Sequence, residues 1–135
     1  MVGKRVQVVD DSKMFVEMAQ HVLTRAGYEV ATAANADIAV AKIPIFQPDV
    51  ILMDVQMPGI DGIELTKRLK ADPATRDIPV VAFTAHACKG DTPVLKAAGF
   101  DGYIKKPVDA MTLAAELRFW LEAPASARSS HLLWP

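Results

Sequence analysis

Pro48-Asp49-Val50-Ile51-Leu52-Met53-Asp54 is the stretch on which the fold turns. Four large apolar residues in succession leave no polar alternate side, so a strand here must be covered on both faces. That predicts the central strand of a parallel sheet. Toward the N-terminus, Val6-Gln7-Val8-Val9 reads as a short strand ending in Asp10-Asp11-Ser12, a turn in which Asp11 or Ser12 caps the helix behind it. Phe15, Met18, Ala19, Val22 and Leu23 then fall on one helical face, and Gly27 is the stop. Tyr28–Thr32 is a strand, Asn35 a cap, and Ala36–Ile43 a helix that Pro44 is expected to end or kink. Toward the C-terminus the pattern repeats. A helix over Asp61–Ala71 stops at Asp72-Pro73, and a strand spans Ile78–Phe83. A short helix opens at Asp91-Thr92-Pro93 and closes at Gly99. Strand Gly102–Ile104 and a helix over Asp109–Leu121 complete the series. Strand-helix units joined this tightly require crossover helices on both faces, an α/β doubly wound five-stranded parallel sheet.

Composition agrees with one such domain. The 135 residues are 51% apolar and 23% charged, with a formal net charge of −1. This balance disfavours disorder and nucleic-acid binding through a basic patch. The apolar run Val50–Met53 is far shorter than the roughly 20 residues a membrane helix needs. Asp10 and Asp11 follow the first residues too closely for a secretory leader, and Cys88 has no second cysteine to pair with. A cytoplasmic chain is expected, with a domain over 4–122 and an Ala/Ser/Pro-rich tail over 123–135.

In doubly wound sheets ligands sit beyond the carboxyl ends of the strands. The residues standing there are Asp10 and Asp11 after the first strand, Asp54 after the third, Thr84 after the fourth and Lys106 after the fifth. Neighbouring carboxylates repel one another unless a cation sits among them. Hard oxygen ligands with open positions suit Mg²⁺, the Lys106 ammonium adds positive charge, and the Thr84 hydroxyl can donate to a phosphoryl oxygen. Phosphoryl transfer asks for positioning and charge stabilisation of this kind.

Val-Val-Asp10-Asp11-Ser, Ile-Leu-Met-Asp54-Val-Gln-Met-Pro58-Gly59-Ile-Asp-Gly62, Phe-Thr84-Ala85-His86-Ala and Gly-Tyr103-Ile-Lys-Lys106-Pro107 together resemble the receiver domain of two-component response regulators. The resemblance spans about Lys4 to Leu121, with the motifs in order. It implies a (βα)5 flavodoxin-like fold of strand order 2-1-3-4-5 in a stand-alone, single-domain receiver. Asp54 would accept a phosphoryl group from a phosphohistidine on a histidine kinase or phosphotransfer protein. Mg²⁺, or Mn²⁺ in its place, would be held by Asp11, Asp54 and the backbone carbonyl of Gln56, with Asp10 acting through a water. Lys106, Thr84 and the Ala85 backbone would bind the phosphoryl group. Lys105 and Lys106 alternate across the strand, and the family's lysine immediately precedes the proline, which selects Lys106; its bond to Pro107 would be cis. Thr84 and Tyr103 would switch the face formed by the fourth helix, fifth strand and fifth helix, controlling a downstream protein target, a weak dimer or onward phosphoryl transfer. Gln56 and His86 would influence dephosphorylation rate. Such a protein is a phosphoacceptor switch, not a multiple-turnover enzyme, and has no nucleic-acid or membrane partner.

Plainer roles compete at each position. Asp10 and Asp11 alone would be helix caps, Thr84 a strand-end hydroxyl, Lys106 a surface charge, Tyr103 core, His86 a solvent-facing loop residue and Cys88 a small packing residue. A Mg²⁺-dependent phosphohydrolase would also use an aspartyl nucleophile, but carries a second acid two residues on, where this chain has Gln56. A phosphorylation-independent interaction module predicts indifference to Asp54→Asn. A dinucleotide carrier lacks its Gly-x-Gly-x-x-Gly. Phe119 falls opposite the apolar face of its helix, and the tail ends in Leu132-Leu133-Trp134. This apolar end is a candidate for docking on its own domain, a neighbouring subunit or a partner.

Overall fold

The computed structural model describes residues 4–55, 62–84, 92–105, 111, 113–115, 117 and 118. Its elements are β1 (Arg5–Val9), α1 (Lys13–Arg25), β2 (Glu29–Ala33), α2 (Ala36–Phe46), β3 (Val50–Asp54), α3 (Gly62–Ala71), β4 (Val80–Thr84), α4 (Thr92–Ala98) and β5 (Gly102–Lys105). Residues 111, 113–115, 117 and 118 are helical. The strands form one parallel sheet in the order β2-β1-β3-β4-β5, as the resemblance implies.

All five residues of β3 are buried, because alternate side chains feed two separate cores. Ile51 and Met53 join Ala39, Ile43, Leu65, Leu69 and Leu95 on the face covered by α2, α3 and α4. Val50 and Leu52 join Ala19, Leu23, Leu113 and Leu117 on the other. Continuous apolarity in β3 thus follows from its central place. Leu113 and Leu117 are buried while Ala115 and Arg118 are exposed, the spacing of a helix with one apolar face. Phe119 lies outside the described residues. Among the described residues, no helix is long and apolar enough to cross a membrane.

Ser12 is the N-cap of α1, its side chain accepting the Phe15 N–H, and Asn35 caps α2 by accepting from Ile38 at 2.9 Å. Gly27 and Gly99 take the positive φ expected of helix-terminating glycines. The helix does not end at Pro44: α2 runs through it to Phe46. Proline in the last turn forfeits a single intrahelical bond, that to the Val40 carbonyl four residues back. Burial of Ala36, Ala39 and Ile43 outweighs that loss, the buried Gln7 amide donates to the Ala39 carbonyl at 3.0 Å, and left-handed Gln47 closes the helix onto the Ile43 carbonyl.

Lys70, in the last turn of α3, ties three segments together. Its ammonium donates to the carbonyls of Arg76 (3.1 Å) and Ile78 (2.9 Å) and to Asp101 Oδ2 (2.9 Å), which also accepts the Val80 N–H. A Cβ on Gly99 would stand 2.7 Å from Lys70 Cγ, so the glycine serves both the turn and this side chain. Lys70→Met keeps the apolar stem and removes the donors. It is expected to lower unfolding free energy by about 2 kcal/mol, the scale of hydrogen bonds to a charged group. Urea denaturation measures this, and an unchanged midpoint would refute the clamp.

Candidate functional site

The carboxyl edge of the sheet is built by register. Val9 pairs with Met53, so the residues that follow this pair, Asp10 just beyond β1 and Asp54 at the end of β3, meet at one edge. Asp54 is itself the last residue of β3, opposite Phe83 of β4. Asp10 is 1% exposed and Asp54 7%, whereas Asp11 faces solvent at the head of α1. One carboxylate oxygen from each lies within 4.8 Å of the others. The Asp10 N–H is fixed on the Ala33 carbonyl at 3.0 Å, and its Oδ1 accepts the Ser12 N–H at 2.8 Å. The same short turn therefore orients Asp10 and starts α1.

Behind Asp54 the backbone of α3 comes unusually close. A Cβ built on Gly62 would lie 2.1 Å from the Asp54 carbonyl oxygen and 3.0 Å from its carbon, and the Gly62 N–H donates to the Val55 carbonyl at 3.0 Å. Only glycine permits this approach. On the opposite face the rings of Phe15 and Phe83 meet with centroids 4.2 Å apart, joining α1 to the end of β4.

The acids named from sequence are thus brought together: Asp10, Asp11 and Asp54 form one cluster. Thr84 is the last residue of β4 rather than the first beyond it, and its backbone pairs with Lys105, while Tyr103 lies in β5 opposite Ala82. Gln56, Ala85, His86, Cys88, Lys106 and Pro107 lie outside the described residues. Gly62 is the site residue whose purpose sequence reasoning missed. Its position, opening a helix eight residues after a strand-end aspartate, was visible; the close approach was not.

Three acids gathered at the carboxyl edge of a doubly wound parallel sheet, where ligands of such sheets sit, form a group that could hold a metal ion. Residues 6–118 match the family model of the response regulator receiver domain. The chain belongs to that family, the receivers of two-component signal transduction. It is 35% identical over 118 residues to the polar-differentiation response regulator DivK of Brucella anthropi, covering 87% of this chain and 96% of that one. It is 41% identical over 114 residues to the response regulator PleD of Caulobacter vibrioides, covering 84% of this chain but spanning only 25% of PleD. Among solved structures, the chemotaxis protein CheY4 of Vibrio cholerae superposes with a TM-score of 0.84 at 34% identity, over 88% of this chain and 99% of that one.

Proposed function

We propose that this chain is a phosphorylation-controlled switch whose receiver unit, residues 4–122, takes a phosphoryl group from a phosphohistidine onto Asp54. The supporting observation is the gathering of three carboxylate oxygens within 4.8 Å, two of them on buried side chains. Acids held this close repel one another unless positive charge stands among them, and an all-oxygen donor set suits Mg²⁺, with Mn²⁺ as substitute. Asp11, Asp54 and the Gln56 carbonyl would hold it, with Asp10 acting through a water. A bound divalent ion would neutralise the acids and offer the phosphoryl oxygens a positive partner.

The chain's own groups perform the transfer. An Asp54 carboxylate oxygen attacks phosphorus in line with the P–N bond of the donor. The new O–P bond forms as the P–N bond breaks, and the imidazole departs with the electron pair and takes a proton from water. Lys106 balances charge on the transferred group, and the Thr84 hydroxyl and Ala85 N–H donate to its oxygens. Drawing Thr84 inward frees space for Tyr103, shifting the population of packings of α4, β5 and the helix that follows. That face then controls a downstream protein, a weak dimer or passage of the phosphoryl group along a relay. The chain acts as a switch rather than a multiple-turnover enzyme, in the cytoplasm beside its histidine kinase or phosphotransfer donor.

Phosphoryl uptake from a phosphorylated histidine domain, compared with Mg²⁺ and with EDTA, tests this reading. Uptake that does not depend on the divalent ion would contradict it. Cation binding is checked separately by thermal unfolding. At 100 times its dissociation constant, Mg²⁺ is expected to stabilise the protein by about 2.7 kcal/mol. Asp11→Asn, at an exposed position, is expected to abolish most of that gain while leaving the protein in EDTA at least as stable as the parent, because one of three mutually repelling carboxylates is gone. Equal Mg²⁺ responses in both proteins would remove Asp11 from the ligand set.

A further inference from the structure

The helix α2 is apolar on both sides. Ala36, Ala39 and Ile43 are buried against the sheet, yet Ile45 is 85% exposed, Val40 50% and Ile38 40%. Ile38, Ala41 and Ile45 fall along one outward row, with Val40 and Pro44 beside it. A helix apolar all round is normally covered on all sides.

We propose that the chain's own C-terminal segment covers this strip, with Leu132-Leu133-Trp134 seated across Ile38, Val40 and Ile45. Reach permits it. Arg5 starts β1 and donates to the Phe46 carbonyl at 3.3 Å, so α2 ends at the amino edge of the sheet. The helix after β5 runs back toward that edge, and its Leu117 shares a core with Val6 and Val50, near the starts of β1 and β3. Both helices thus finish at the same edge, on opposite faces. Two layers of about 10 Å separate them. The 13 residues from Phe119 to His131 span about 43 Å when extended and about 20 Å as a flexible coil. The chemistry matches as well: two leucines and a tryptophan ring meet an aliphatic strip. The tail lies beyond residue 118, where the family model ends, and the strip on α2 contains none of the residues assigned to phosphoryl transfer, so this contact is independent of the phosphoryl reading.

The test uses the full chain carrying Trp120→Phe, which leaves Trp134 as the only tryptophan. The expected result is blue-shifted emission and several-fold slower acrylamide quenching than for a free peptide of the tail sequence, unchanged on dilution. Ile45→Glu in that background is expected to make the emission solvent-like while circular dichroism and the melting midpoint hold. Ile38→Lys gives a second variant should the first fail to fold. Solvent-like emission in the parent, or emission indifferent to both substitutions, would overturn the proposal. So would blue-shifted emission that is lost on dilution as a dimer dissociates, which assigns the strip to a second copy.

Discussion

A chain carrying Asp54→Asn is expected to take up phosphoryl groups from a phosphohistidine donor at least about 100-fold more slowly than the parent. That corresponds to about 2.7 kcal/mol or more of lost transition-state stabilisation. The amide keeps the shape of the side chain at the end of β3 but lacks the anionic oxygen that must bond to phosphorus. It also removes one of the three acids of the cluster, so Mg²⁺ affinity is expected to fall with it. Radiolabel uptake and Mg²⁺ titration read the two effects separately. Retained uptake would mean that another group accepts the phosphoryl. Retained signalling in the substituted chain would favour an interaction module indifferent to phosphorylation.

Gly62→Ala tests the scaffold behind that carboxylate. Alanine is the better helix former by about 1 kcal/mol in a helix interior and by less at the opening residue, so propensity alone would stabilise α3 slightly. Against this, the new methyl would stand 2.1 Å from the Asp54 carbonyl oxygen, a backbone atom that no rotamer change can clear. Overpacking of this kind costs about 1–3 kcal/mol, more when backbone must move. The clash outweighs the propensity gain, and a net loss of about 2 kcal/mol is expected in denaturant unfolding. Because α3 must retreat from the end of β3, phosphoryl uptake should drop with it. A variant as stable and as active as the parent would show that the approach of Gly62 to Asp54 is dispensable.

Much of this arrangement was legible in the chain itself. The run Val50–Met53 placed β3 at the centre, and the alternation of short strands with periodic helices dictated a parallel sheet. In such a sheet the carboxyl edge is where Asp10, Asp11 and Asp54 had to meet. What escaped depends on contacts between residues distant in sequence. Strand limits moved by one or two residues, as with Val80–Thr84 in place of Ile78–Phe83, because the ladder with neighbouring strands decides where pairing begins and ends. Pro44 carries a local preference to end or kink a helix, yet tertiary packing of α2 carries the helix through it. The Lys70–Asp101 pair spans 31 residues and carries no local signature. Gln7 is another case. It sits in an apolar strand, fully buried, with Nε2 bonded to α2 and Oε1 without a protein partner among the described residues. Nothing in the run Val6–Val9 distinguishes it from a solvent-facing polar residue.

The most direct measurement locates the phosphoryl group. The protein is incubated with a phosphorylated histidine domain and Mg²⁺, reduced with borohydride, which converts an aspartyl phosphate to homoserine, and mapped by peptide mass spectrometry. The account predicts homoserine at position 54 alone, formed only with donor and divalent ion present. Conversion at Asp10 or Asp11 instead, phosphate retained on a histidine of this chain, or an unmodified residue 54 after a donor shown to be competent would contradict it.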